Sequence, residues 1–261
     1  MSSTLDQKVL FFDHILGLRD KLVQGPNGLT KAPAPPGGDT GNVQKRTYRY
    51  SPAIARANIS GPVPEDDFKN IIDLAVSGRE FDLDLVFYRR DAPHVHIGKA
   101  IVSSLTIDIK AGDVAQFSME VVGAEYVFLT GASSPANCTK LVTWDQCIVE
   151  ATPIAYDMAS FSVSINNPPI PIYTSKWTTD EESNGMMPQK IRIGMQEVTG
   201  TIGVYGPVPI NVPSLGTVKF DLNGVSKTIQ AVFIQPKDEA STGPYIRSVT
   251  FAGVNEGSIW V

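Results

Sequence analysis

Hydrophobic positions follow one period at the N-terminal end of the chain and another from residue 81 onward. Leu5, Val9, Phe12 and Leu16 recur at spacings of four and three, with Phe11, Ile15, Leu18 and Leu22 beside them. The spacing predicts a helix within the first 25 residues, ended by Gly25-Pro26 and docked through a wide apolar stripe on its own subunit. Residues 26–42 carry Pro26, Pro33, Pro35 and Pro36 among several glycines, a composition that predicts an extended, solvated linker. A second helix is expected over about residues 65–77, with Glu65, Asp66 and Asp67 in its first turn and Phe68, Ile71, Ile72 and Ala75 on its apolar face. Gly78 should end it.

Beyond residue 81 the period becomes two. Phe81, Leu83, Leu85 and Phe87 alternate with Asp82 and Asp84, as a half-buried strand requires. Further strands are expected near 101–109, 114–122, 125–130, 141–149, 159–166, 190–205, 217–222, 228–235 and 246–252. Turn signals separate several of them, including Ala111-Gly112-Asp113, Asn166-Asn167-Pro168-Pro169 and Asn223-Gly224, the last expected in a hairpin loop longer than two residues. The chain therefore divides into an N-terminal helix and Pro/Gly-rich linker over 1–45 and a mainly β domain over 46–261.

Four of the strands have one unusual face. In 103–109, Leu105, Ile107 and Ile109 oppose Ser104, Thr106 and Asp108. In 114–122, Phe117, Met119 and Val121 oppose Gln116, Ser118 and Glu120. In 159–166, Phe161, Val163 and Ile165 oppose Ser160, Ser162 and Ser164, and in 197–205 Val198, Ile202 and Val204 oppose Glu197, Thr199 and Thr201. Alternation of this kind gives each strand one buried and one wet side. The wet sides hold short hydroxyls, an amide and acids, with no lysine or arginine, although ordinary exposed sheet faces mix in cations and use lysine to blunt edges. Such a face suits the wall of a passage along which DNA slides, because each cation there would pair with phosphate and slow transit. The plainer alternative is the solvated side of a sandwich.

Composition narrows the function classes. Charged residues make up 19% of the 261, below the roughly 25% of an average globular domain, and the formal net charge is −5. That balance argues against a surface built to grip nucleic acid. No apolar run is long enough for a membrane span, and MSSTLDQK lacks the basic start and apolar core of a signal peptide, so synthesis in the cytoplasm is expected. Cys138 and Cys147 flank Trp144, and a hairpin would let them pair, but unbonded thiols are the expectation. His94 and His96 would share one side of a strand, as metal ligands can, with Asp91 close in sequence, yet no third ligand stands at a recognisable spacing. Neither a nucleophile elbow nor a phosphate-binding loop occurs, and Asp82/Asp84 is better explained as a solvated carboxylate pair than as a glycosidase dyad. Neither a catalytic residue, a metal nor a cofactor is expected.

Two blocks then carry a family resemblance. Ala100 to Asp113 (AIVSSLTIDIKAGD) followed by Val114 to Gly123 (VAQFSMEVVG) resembles the strand, turn and strand of bacteriophage tail tube proteins, a family related to the tubes of contractile injection systems. So does Met158 to Asn167 (MASFSVSINN) with the later Ile193 to Ile202 (IGMQEVTGTI), and Ser248 to Gly253 (SVTFAG) is similar to the family's closing strand. Order and spacing over about residues 80–253 carry the resemblance, since each piece alone is only a hairpin with a glycine turn.

The resemblance implies a tail-tube β-sandwich whose hairpins join those of neighbours in a homohexameric ring, with rings stacked into a tube. It implies that Ser104, Thr106, Asp108, Gln116, Ser118, Glu120, Ser160, Ser162, Ser164, Glu197, Thr199 and Thr201 line the lumen, and that DNA passes them without specific binding. The expected partners are further copies of the chain, a tape-measure protein, a baseplate, a tail terminator and, in a contractile tail, a sheath. The segment Pro168 to Pro188, with Asp180, Glu181 and Glu182, is the candidate for a loop that orders on stacking. Two alternatives stand beside the tube: another tail component of the same fold, such as a terminator, hub or injection-system tube, and a carbohydrate-binding β-sandwich using Trp144, Trp177 or Trp260.

Overall fold

The computed structural model describes residues 7–11, 14–17, 20–24, 29–31, 48–50, 54–65, 68–87, 94–129, 136–137, 140–152, 154, 157–173, 188–206, 212–239, 245–254 and 260. In chain order the strands are β1 (Gln7–Phe11), β2 (His14–Gly17), β3 (Asp20–Gln24), β4 (Leu29–Lys31), β5 (Tyr48–Tyr50) and β6 (Ala55–Pro62). Helix α1 (Phe68–Ser77) follows, then β7 (Phe81–Phe87), β8 (His94–Lys110), β9 (Gln116–Gly123), β10 (Val127–Leu129), β11 (Ala136–Asn137) and β12 (Cys147–Thr152). The remainder are β13 (Met158–Asn166), β14 (Pro169–Ile172), β15 (Lys190–Ile193), β16 (Glu197–Tyr205), β17 (Ser214–Leu222), β18 (Val225–Glu239) and β19 (Ile246–Gly253). The protein is mainly β, as its alternation requires.

One run of hydrogen-bonded neighbours carries the architecture: β3, β6, β9, β8, β13, β16, β19, β18, β17 and β12. The long strand β8 belongs to two regions. Its later half pairs with β9 and β13, and its earlier half with β7 and β10. Between them the chain bulges at Lys99, which has φ +48° and donates its amide to Asp82 Oδ1 at 3.2 Å. A second bulge follows at Ser103, whose hydroxyl donates to the Glu120 carbonyl at 3.2 Å. Each extra residue bends the strand and sharpens its twist.

The sheet curls over on itself. Phe161 of β13 lies 5.4 Å from Phe220 of β17, four strands away along the sheet, and Phe233 and Phe251 fill the space between. The inner side is the core, built from the predicted apolar sets: Leu105, Ile107, Ile109, Phe117, Met119, Val121, Phe161, Val163, Ile165, Val198, Ile202 and Val204 are all buried. Helix α1 closes it with Phe68, Ile71, Ile72, Leu74 and Ala75. Gly200 has no side chain because there is no room for one: a Cβ would meet the Phe251 ring and the Ser162 carbonyl.

Several expectations are corrected. Among the described residues the predicted N-terminal helix is replaced by strands: residues 7–11, 14–17 and 20–24 are extended, with β1 paired to β7 and β2, and β3 to β6. Short apolar runs satisfy both periods, and the open backbone of β6 and β7 selects the extended form. Part of the expected linker is strand as well, since Leu29–Lys31 pairs with Tyr48–Tyr50. Helix α1 is described over Phe68–Ser77, within the expected 65–77, and Asp66 and Asp67 of its expected first turn lie outside the described residues. The expected strand 141–149 is a short 3-10 turn at Trp144–Gln146 followed by β12, because Gln146 turns back to accept the Thr143 amide at 3.0 Å. The expected strand 190–205 is two, parted where Gly194 donates its amide to the Pro168 carbonyl at 2.8 Å. Asn223-Gly224 forms a two-residue loop with positive φ at both positions, since Leu222 pairs directly with Val225.

Candidate functional site

The four strands singled out by their wet faces are immediate neighbours, in the order β9, β8, β13, β16. Their registers bring the polar residues into transverse rows. Gln116, Asp108, Ser162 and Thr201 form one row, and Ser118, Thr106, Ser164 and Thr199 the next. Glu120, Ser104, Asn166 and Glu197 form a third. Ser160 stands opposite Lys110 and Gly203 at the end of the field. All twelve expected residues therefore share the outer side of the curl, and none is buried.

Few bonds tie these side chains to one another. Thr106 Oγ1 and Ser164 Oγ lie 3.0 Å apart, and Gln116 Nε2 donates to the Val114 carbonyl at 3.2 Å. Short hydroxyls facing one another across strands present a low, polar relief that water can wet and long cations do not span. The field is wider than expected. β6 adds Ser60 opposite Ser118 and Asn58 opposite Glu120, while β19 adds Thr250 opposite Thr201 and Ser248 opposite Gly203. The signal was present in the alternation of Ala55, Ala57 and Ile59 with Arg56, Asn58 and Ser60, a segment absent from the expected strands.

Two cations stand at the margins of the field, outside the four segments whose wet faces carry none. β8 continues to Lys110, which is exposed on the same side as Asp108. Arg56 lies at the β6 margin, where its Nη1 donates to Glu120 Oε1 at 2.7 Å. Three carboxylates, Asp108, Glu120 and Glu197, thus face two cations, one of which is already paired with a carboxylate.

Beyond Glu120 the outer side turns apolar, and the β14–β15 arm covers it. Ile191 packs on Ile101, Val122 and Ala124, with Ile193 beside them. A clamp missed in the sequence holds the arm's root. Asn167 is 0% exposed, and its Nδ2 donates to the carbonyls of Ala75 at 2.7 Å and Val102 at 3.0 Å. Gln196 Nε2 donates to Asn167 Oδ1 at 2.7 Å and reaches the Ala75 and Val76 carbonyls at the end of α1. Trp260 Nε1 donates to Gln196 Oε1 at 2.6 Å. Asn166-Asn167 reads as turn chemistry in the sequence, and only the fold shows the second amide satisfying a helix's terminal carbonyls.

The other candidates lie elsewhere. His96 Nδ1 is 2.7 Å from Asp84 Oδ1, while the side chain of His94 and all of Asp91 lie outside the described residues. Among the described residues no three His, Cys, Asp or Glu side chains gather as a metal would need. Cys147 Sγ donates to the Thr143 carbonyl at 3.3 Å, and burial pushes its thiol up to about 12, with Asp145 and Asp221 adding to the shift. Cys138 and Trp177 lie outside the described residues, as does most of Pro168–Pro188. Trp144 and Trp260 pack against the core, so neither offers the free aromatic platform that a glycan binder uses. Among the described residues no helix is long and apolar enough to cross a membrane.

Residues 25–253 match the family described as phage tail tube protein. No curated protein matches the chain.

Proposed function

The chain belongs to the phage tail tube protein family, and we propose that its copies close into homohexameric rings whose β9, β8, β13 and β16 strands line a continuous lumen for DNA. It is a structural component of the virion tail. The observation that carries the proposal is the single field of twelve small polar and acidic side chains on four adjacent strands, each backed by a buried apolar partner set.

The chemistry follows from charge and relief. Each free cation on a lumen wall would release counterions from DNA and hold it, so a wall of hydroxyls with a slight excess of carboxylate lets the duplex pass without a preferred position. Among the described residues β3 and β12 each have one paired edge, to β6 and β17 respectively. Closing a ring through such edges removes backbone groups that otherwise template aggregation. Rings repeated by translation give the head-to-tail contact that yields an open filament. The remaining partners on this reading are the tape-measure protein, baseplate, terminator and, in a contractile tail, the sheath, met after synthesis in the host cytoplasm.

Electron microscopy of the purified protein tests the proposal. Rings or tubes with the β8 and β13 hydroxyls on the inner wall are expected. Persistent monomers, or an assembly with Thr106 and Ser164 covered by protein or on the outer rim, would overturn it.

A further inference from the structure

The sequence is acidic overall, yet one groove collects cations. It runs between the end of α1 and strand β15, with a volume of about 530 Å³, and Arg79, Lys190 and Arg192 line it with Glu80. Gly78 forms its floor with φ +60°, and a Cβ there would meet the Ile193 side chain, so the helix ends close against the arm. Lys190 Nζ lies 3.6 Å from Glu80 Oε1, which accounts for the groove's one carboxylate. Arg79 and Arg192 are exposed, and among the described residues neither has an ion-pair partner.

The arm explains why the cations face outward. Ile191 and Ile193 occupy its inner side and pack on the body, which turns Lys190 and Arg192 to the outer side opposite Ile172 and Ile170. Ile170 remains 51% exposed. Two guanidiniums beside exposed isoleucine suit a carboxylate-bearing peptide, because each planar fork can take a carboxylate in two parallel bonds. The same chain contains such a peptide. Between β14 and β15 it reads Asp180-Glu181-Glu182, three consecutive acids in a connection that carries one cation, Lys176.

We propose that the groove of Arg79, Lys190 and Arg192 receives the Asp180-Glu181-Glu182 segment of a second copy of this chain, making an electrostatic contact between successive subunits of the stack. The contact rests on the tube proposal above and adds its axial partner. A basic groove and an acidic segment on one chain form a self-complementary, head-to-tail pair, the geometry that propagates without closing. Like-charge juxtaposition at such a contact is strongly unfavourable, so the pairing also rejects the inverted stacking direction.

Three variants test it by charge reversal in trans. One carries Arg79→Glu and Arg192→Glu, and the second Asp180→Lys, Glu181→Lys and Glu182→Lys. The third combines all five substitutions in one chain. Each of the first two alone is expected to lose tubes, with the assembled fraction down by about tenfold or more. Mixed in equal amounts they should assemble again, because each segment then meets an opposite groove on its neighbour, and the five-fold variant should assemble by itself. Rescue only within the five-fold variant would place the acidic segment in its own chain's groove and overturn the inter-copy contact. Tubes that survive either reversal alone would overturn the contact while leaving the tube itself intact, and absence of tubes from the unaltered protein would instead overturn the tube. Assembly of the unaltered protein should also weaken when salt rises to 1 M, where screening acts within about 3 Å. Indifference to salt would likewise overturn the contact.

Discussion

The two sides of the strands β9, β8, β13 and β16 are made by the same backbone yet hold opposite kinds of residue for opposite reasons. On the inner side Phe161, Val163 and Ile165 are sealed against Phe220, Phe251 and the rest of the core. On the outer side Ser160, Ser162 and Ser164 have little to hold them beyond one hydroxyl pair between Ser164 and Thr106. The contrast teaches that stability resides on one side and leaves the other free to be chosen for what it meets. Substitutions that cross the sheet should separate the two.

The largest effect is expected on the sealed side. Phe161→Ala should cost about 3–5 kcal/mol, because it removes a ring packed on both Phe220 and Phe251 and leaves a cavity. Chemical denaturation of the unassembled subunit would show it, and a loss below that of a surface change would mean the curl is looser than described.

Adjacent residues give the next comparison. Asn167→Ala should destabilise by about 1–3 kcal/mol, since the Ala75 and Val102 carbonyls lose a buried donor. Asn166→Ala, one residue earlier on the exposed side, should fall within about 0.5 kcal/mol. Equal effects would remove the helix clamp from the account.

Cys147 sharpens the comparison on β12, a strand less sealed than the centre. Its thiol keeps the proton up to about 12 in the folded chain, against 9.0 for the free group. Between those values the unfolded chain releases a proton that the folded chain retains, so the contribution is present below the lower value and is lost as pH rises through the window. Cys147→Ala should flatten the fall of melting temperature across that alkaline range, and an unchanged slope would count against a desolvated thiol.

The smallest effect on stability, and the most telling for function, belongs to the outer side. Thr106→Lys and Ser162→Lys should shift subunit stability by about 0.5 kcal/mol or less. Assembled tails carrying them should nevertheless release DNA more slowly, with a slowing that salt relieves. A stability loss as large as that of Phe161→Ala would show that the outer side is packed rather than open.

Which residues share a side was determined by the sequence alone, because alternation is a property of a single strand and needs no partner. The twelve polar positions, the apolar set behind them and the body of α1 were all legible for that reason. Tertiary structure decided what lies beside what. The contiguity of β9, β8, β13 and β16, the recruitment of β6 and β19, and the burial of Asn167 against a helix end are relations between segments far apart in the chain. It also decided the N-terminal segments, where apolar runs fit helix and strand alike and the unpaired edges of β6 and β7 made the choice. A period is written in neighbouring residues, whereas a hydrogen-bonding partner is supplied by the rest of the fold.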